Sequence, residues 1–240
     1  MNIRYLYHSG FAIEADGCTV VIDYYDDECV PPRRLENGVV DADLLSRPGK
    51  FYVLSSHGHR DHFNPVILSW QEQRRDIQYL LSSDLHASLG ARENTLFLAP
   101  GESYNDGTLS VLAFGSTDLG VSFLQRIEDK NLLHAGDLNN WHWENESSAE
   151  YVAQAQADYL AILQKIAKAA PQLDAALFPV DPRMGANGGR GAEQLTAAIR
   201  VGALLPMHFG NDFSFPASYA KAHPEQAVAV WSHRGEVFAL

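Results

Sequence analysis

The chain has 240 residues, 46% of them apolar and 20% charged, which suits one large globular unit with a well-buried core. Its 18 basic residues stand against 30 acidic ones, a net charge of −12, and the short basic pairs Arg33-Arg34 and Arg74-Arg75 are too sparse for a polynucleotide surface, so no nucleic acid is expected as a partner. No apolar run nears the ~20 residues that span a bilayer, and the two cysteines, Cys18 and Cys29, form neither a CxxC pair nor a disulfide framework, so any metal must rest on nitrogen and oxygen ligands.

In chain order, residues 3–7, 11–15 and 19–23 read as short strands punctuated by Gly10 and Asp16-Gly17, an N-terminal meander. The N-terminus enters it directly, without the apolar stretch and cleavage site of a secretory signal, which reads as cytoplasmic. Residues 24–50 are irregular, with a short helix at about 41–46, and Phe51 to Leu54 is a buried strand. A helix follows from about Pro65 to Gln73, with Pro in its first turn. Ile77 to Leu81 is a strand, and Asp84 is placed to cap a short helix ending at Leu89. Thr95–Leu98, Thr108–Phe114, Gly120–Ile127 and Asn131–His134 read as further strands.

Glu150 to Ala169 is the longest predicted helix, stopped by Pro171. Beyond it come a strand at Ala175–Val180, a glycine-rich loop at Gly185–Gly191 and a helix at Ala192–Val201. Strands at Ala203–Met207, Ala227–Trp231 and Glu236–Ala239, with a short helix near Pro216–Ala222, complete the chain. The expected architecture is a single domain over residues 1–240 of class α/β (α+β): two mixed sheets face to face with helices outside.

The densest chemistry is "SSHGHRDHFN", which puts His57, His59, Asp61 and His62 into six positions after a buried strand. In extended backbone, residues two apart point the same way, so His57 and His59 can hold one ion. Asp61 and His62 lie beyond the turn and can reach a second. Imidazole and carboxylate donors suit Zn²⁺, and also Mn²⁺ or Fe²⁺. The alternative, a polar loop with incidental histidines, does not account for four donors at this density.

These residues resemble the metallo-β-lactamase superfamily. "HGHRDH" fits its H-x-H-x-D-H motif, "LLHAGDLN" (132–139) its strand-Gly-Asp motif, and "LLPMHFG" (204–210) its late strand-His motif. The opening "YHSGFAIEADGCTVVIDYY" is similar to its N-terminal meander, with Asp23 near the metal-site loop. The resemblance implies a four-layer αβ/βα sandwich with the site at the edge of both sheets. It implies one or two divalent ions, with Asp137 bridging them and His208 on the second. It makes Asp61 and Asp137 the catalytic carboxylates of a metal-dependent hydrolase, in which metal lowers the pKa of water from ~15.7 towards ~7. The H-S-G opening looks most like the branch containing L-ascorbate-6-phosphate lactonase, which implies a lactone or phosphate-bearing ester as small-molecule substrate.

One segment departs from the pattern. The family places another His on the first ion, from a stretch that here reads "LAFGSTDLGVSFL", with Gly115 or Ser116 at the expected position. Two substitutes stand nearby. His142, five residues beyond Asp137, can fold back over the site; otherwise its ring stacks between Trp141 and Trp143. Asp118 offers an oxygen from the altered stretch itself, or else caps a turn. His134 reads as a satisfied core residue or as one that supports the ligands from behind. His8, at a strand end, can face substrate or support the ligands. Arg183 can clamp a carboxylate or phosphate, or pair with Asp181 to brace its turn. The depleted first site keeps a second reading open, a non-hydrolytic metal protein or an iron redox protein of the same fold. The composition also leaves a homo-oligomer open.

Overall fold

The computed structural model describes residues 1–143 and 147–240. Among them, the strands of the N-terminal half are β1 (Asn2–Tyr7), β2 (Gly10–Ala15), β3 (Cys18–Ile22), β4 (Lys50–Ser55), β5 (Gln78–Ser82) and β6 (Thr95–Leu98). Those that follow are β7 (Ser103–Asn105), β8 (Leu109–Gly115), β9 (Val121–Ile127), β10 (Lys130–His134), β11 (Gln172–Pro179), β12 (Arg200–Met207) and β13 (Val237–Ala239). They pair into two sheets, one ordered β13-β1-β2-β3-β4-β5-β6 and the other β12-β11-β10-β9-β8-β7. Each sheet joins an antiparallel meander to parallel strands, β3 to β6 in the first and β10 to β12 in the second.

Strict alternation in the first sheet separates two cores. Ile3, Tyr5, Phe11, Ile13, Val20, Ile22, Tyr52 and Leu54 face the second sheet. Ala12, Val21, Phe51, Val53, Tyr79 and Leu81 face the other way, onto α1 (Ala42–Leu45) and α2 (Val66–Ser69) through Leu44, Leu45 and Ile67. The second sheet is covered by α4 (Ala149–Ala169) and α5 (Arg190–Ala198), whose Tyr159, Leu163 and Leu195 join the central core. The expected sandwich of two sheets flanked by helices is what forms. The remaining helices are α3 (His86–Leu89) and α6 (Ser214–Ala222). No helix of the described residues is long and apolar enough to cross a membrane.

Local chemistry sets several boundaries. The Asp41 carboxylate accepts from Leu44 N at 2.8 Å and starts α1, and Ser148 Oγ accepts from Tyr151 N and starts α4. Four expectations shift. Asp84 does not cap a helix, because its carboxylate accepts from Gly58 N at 2.8 Å and braces the histidine loop instead. Residues 227–231 make one isolated bridge, Leu204 with Val228, rather than a strand, while the Trp231 indole donates to Pro206 O at 2.9 Å. The glycine-rich loop contains a 3-10 turn at Pro182–Asn187, and α5 then runs from Arg190 to Ala198, giving way to β12, which pairs with β11 from Arg200. The short strand β7 follows a turn the sequence did not mark.

Candidate metal centre

The parallel strands end along one edge of the sandwich, where open α/β sheets place their ligands. Asp23 follows β3, His57 to His62 follow β4, Asp137 follows β10, Asp181 follows β11 and His208 follows β12. The β1–β2 turn adds His8, and the β8–β9 turn adds Asp118. Three non-glycine residues here hold left-handed backbone, His8 (φ 55°), Asp23 (φ 47°) and His208 (φ 67°), strain that costs on the order of 1–3 kcal/mol each. Gly120 (φ 72°) lets the β8–β9 turn close on the histidine loop: a Cβ there would meet Ser56 O at 2.1 Å and His57 Cβ at 2.6 Å.

The donors form two groups, each with its ligand atoms within 4.8 Å of one another. One comprises His8, Asp61, His62 and His208, the other His57, His59, Asp118 and Asp137. Asp137 faces both. Its Oδ1 lies 3.1 Å from His62 Nε2 and 3.1 Å from His208 Nε2, and its Oδ2 lies 3.5 Å from His57 Nε2.

Outer partners decide which ring nitrogen faces inwards. His62 Nδ1 pairs with Asp23 Oδ2 at 2.7 Å and His208 Nδ1 with Asp181 Oδ2 at 2.9 Å, so both Nδ1 atoms carry the proton. Ser56 Oγ donates to Asp23 Oδ2 at 2.7 Å and accepts from His57 Nδ1 at 3.0 Å. All three rings therefore turn an Nε2 lone pair to the centre. The 3.1 Å separations from Asp137 are short enough for hydrogen bonds, yet they are poorly aligned. His8 Nε2, His62 Nε2, His208 Nε2 and Asp137 Oδ1 are buried and make no hydrogen bond among the described residues. Buried acceptors that face one another are costly unless a cation lies between them, and this donor set fits a divalent ion.

The electrostatic surroundings of these groups act in the same direction. Burial lowers the His62 pKa, but Asp137 and Asp23 outweigh it and push the imidazole up to about 10. Burial alone would raise Asp137, yet His208 and His62 hold its carboxyl below the usual range. The His8 ring, 3.3 Å from Asp61, likewise holds the Asp61 carboxyl low. The centre favours positive charge between its carboxylates, whether a proton or a metal ion supplies it.

The group around His57 is more open. The His59 and Asp118 side chains are 49% and 46% exposed and lie 3.5 Å apart, while His57 is fully buried with Nε2 3.1 Å from His59 Nδ1. Asp118 thus stands beside the two histidines in the region where the family's third His is missing. His142 does not. Trp141 Nε1 donates to Asp137 O at 2.9 Å, and His142 N donates to Asn140 O at 2.7 Å. That tight turn carries the His142 ring towards Arg190, its Nδ1 3.5 Å from Nη1, and outside both groups. Nor does it sit between the indoles, since Trp141 and Trp143 stack on each other, centroids 5.6 Å apart.

A cleft of about 270 Å³ borders the centre, lined by His59, Asp118, Trp141, Trp143, Tyr151 and Arg183 among others. Arg183 pairs with Asp181 and also borders the cleft. Its Nε and Nη2 bond Asp181 at 3.0 and 2.6 Å, its guanidinium lies 5.7 Å over the Trp143 ring, and more than half of its side chain stays exposed to the cleft. His134 is a satisfied core residue, with Nε2–H donating to Ser9 O at 2.8 Å. The sequence marks Asp181 only as a brace for its turn, and its bond to His208 has no sequence signal because 27 residues separate them.

The fold is that of the metallo-β-lactamase superfamily, and the donor groups match its motifs except for the missing histidine. The chain belongs to this superfamily: the model of the beta-lactamase superfamily domain matches residues 2–208. It is 25% identical over 221 residues to a metal-dependent hydrolase of Rhizobium meliloti, covering 90% of this chain and 87% of that one. Among solved structures it is similar in fold to Igni18, a metallo hydrolase of Ignicoccus hospitalis (TM-score 0.65, 18% identity, 100% and 98% of the two chains). It is also similar in fold to CmlA, a diiron β-hydroxylase of Streptomyces venezuelae (TM-score 0.68, 13% identity, 100% of this chain and 54% of that one).

Proposed function

We propose that this protein is a cytoplasmic metal-dependent hydrolase that cleaves a small anionic lactone, ester or phosphoester. The observation that carries the reading is the convergence of buried, unpartnered His62 Nε2, His208 Nε2 and Asp137 Oδ1 beside an open cleft. His57, His59, Asp118 and Asp137 would hold a first ion, and Asp61, His62, His208 and Asp137 would hold a second. Zn²⁺ suits the imidazoles best, with Mn²⁺ or Fe²⁺ as alternatives. Bound ions supply Lewis acidity and a water of lowered pKa.

The protein's own groups do the rest. Asp137 presents one oxygen to each group and would contribute to holding an ion in either. Asp23 and Asp181 fix the imidazole tautomers. Arg183 is held by Asp181 and receives the anionic end of the substrate, while Trp141 and Trp143 wall the cleft and exclude water. The lactonase-like opening His8-Ser9-Gly10 favours lactones and phosphate-bearing esters within this class. Purified protein assayed for metal and then against lactones, esters and phosphoesters tests the reading. Chelator-sensitive turnover of an anionic member is expected, and turnover that survives complete metal removal would overturn it.

A second reading, an iron redox or other non-hydrolytic metal protein, is favoured by one feature. Asp118 makes the first donor set richer in oxygen than a three-histidine site, which suits a harder ion. Iron bound in preference to zinc after anaerobic loading, with no hydrolysis across the panel, would select it.

A further inference from the structure

We propose that His8 is a direct ligand of the second metal ion, which makes the second group, rather than the first, the three-imidazole site of this protein. The inference rests on the metal reading above and goes beyond it, because it moves the imidazole-rich site from the first ion to the second.

Four observations carry it. His8 Nε2 lies within 4.8 Å of the ligand atoms of Asp61, His62 and His208. It is buried and makes no hydrogen bond among the described residues; Asp61 Oδ2, at 3.3 Å, is near but unaligned. The His8 ring packs on that of His208, centroids 4.2 Å apart. Finally, the backbone is held in place for this purpose. His8 has φ 55°, where side-chain-bearing residues are rare, and it is fixed there from both sides. Its N–H donates to Tyr5 Oη at 2.9 Å, and its carbonyl accepts from His208 N at 3.0 Å. Two strained ligand residues are thus bonded to each other through their main chains, which fixes the distance between their rings.

The chemistry follows from the count of donors. The second ion has His8, His62 and His208 with oxygens from Asp61 and Asp137. The first has His57 and His59 with oxygens from Asp118 and Asp137. Zinc therefore fills the second site first, and the ion ties the β1–β2 turn of one sheet to the end of β12 in the other.

The test uses full-length protein labelled with ¹⁵N-histidine, stripped by chelator and titrated with Zn²⁺. Ring-nitrogen spectra report which Nε2 atoms bind metal, and chelator competition gives the affinity. The first equivalent is expected to shift the Nε2 resonances of His8, His62 and His208 together. His8→Gly and His8→Asn both accept left-handed backbone and so keep the fold. Both are expected to weaken the tight ion by about tenfold or more, at least the penalty of losing an outer partner. An unmoved His8 Nε2 in zinc-filled wild type would overturn the proposal, as would wild-type zinc affinity in both variants. A change in KM alone, with metal content intact, would instead make His8 a substrate contact and reject ligation. Wild-type protein that binds no divalent ion at all would overturn the underlying metal reading, a result distinct from either.

Discussion

The two donor groups share Asp137 but are built differently. In the group of His62 and His208, both rings are buried and each is oriented by a buried carboxylate, Asp23 at 2.7 Å and Asp181 at 2.9 Å. In the other group only His57 is fixed in this way, through Ser56, while His59 and Asp118 stand about half exposed. An ion gains affinity where ligands are already immobilised and desolvated, because the ordering cost has been met during folding. The buried group is therefore expected to bind tightly and organise the site. The open group is expected to meet the substrate and to exchange its ion more readily.

The largest effect that tests this contrast comes from the residue common to both sides. Asp137→Ala removes an oxygen from each group and leaves His62 and His208 facing one another across a gap. Both ions should be lost by elemental analysis, and turnover should fall by about a thousandfold or more, beyond the ~10–100-fold that an outer partner costs. Retention of one full equivalent would show that the groups are independent.

Next come the outer carboxylates, which separate the groups. Asp181→Asn should weaken only the buried site, by about 10–100-fold, because Asp181 orients His208 alone. Asp23→Asn should weaken both sites, since Asp23 holds His62 directly and His57 through Ser56. Competition titrations with a chromophoric chelator resolve the two affinities, and equal damage from both variants would break the contrast. Asp181 also leaves a mark on metal-free stability. Burial raises its pKa, but His208 and Arg183 outweigh that and bring it to about 2 from 3.8. A depressed carboxylate stabilises the fold above the unfolded value and loses that contribution as pH falls from about 4 towards 2. The contribution is about 2 kcal/mol at neutral pH. Denaturant melts of Asp181→Asn should therefore fall below wild type at pH 7 and meet it near pH 2.

The exposed group should respond to its unusual carboxylate. Asp118→His supplies an imidazole close to where the family's third His is missing, and should raise first-site zinc affinity about tenfold. Asp118→Ala should lower it, with the buried site unchanged in both. No change in either variant would leave Asp118 a turn residue.

What the sequence could show follows the range of the interactions involved. Short apolar runs bounded by turn residues are local signals, so β1 to β6 were legible, as was the cluster from His57 to His62. Asp137 and His208 came from motif order. What stands beside His57 and His59 in the region of the missing histidine was harder to read, because closeness along the chain pointed to His142 as well as to Asp118. The Trp141 indole bonds back to Asp137 O and turns the following residue away, a constraint with no sequence signature. Asp118 reaches the site only because Gly120 lets its turn sit against Ser56. The place of His8 depends on a main-chain bond to His208 across 200 residues, which no local pattern encodes.

The smallest predicted effect lies in the cleft, on the open side of the centre. Arg183 has two roles that a single substitution can part. It bonds Asp181 through Nε and Nη2, and it offers an exposed guanidinium beside Trp143. Arg183→Lys keeps a positive charge near Asp181, but it removes the planar fork that grips a carboxylate or phosphate at two points. If Arg183 is a substrate clamp, KM for an anionic substrate should rise severalfold, kcat should change little, and both metal affinities should stay at wild-type values. If it serves only as a brace for Asp181, the order reverses: zinc affinity at the buried site drops while KM holds. A neutral substrate analogue sharpens the reading, since it should show no KM change in the first case. The buried group would then be indifferent to the loss of the fork, and the cleft would carry the specificity.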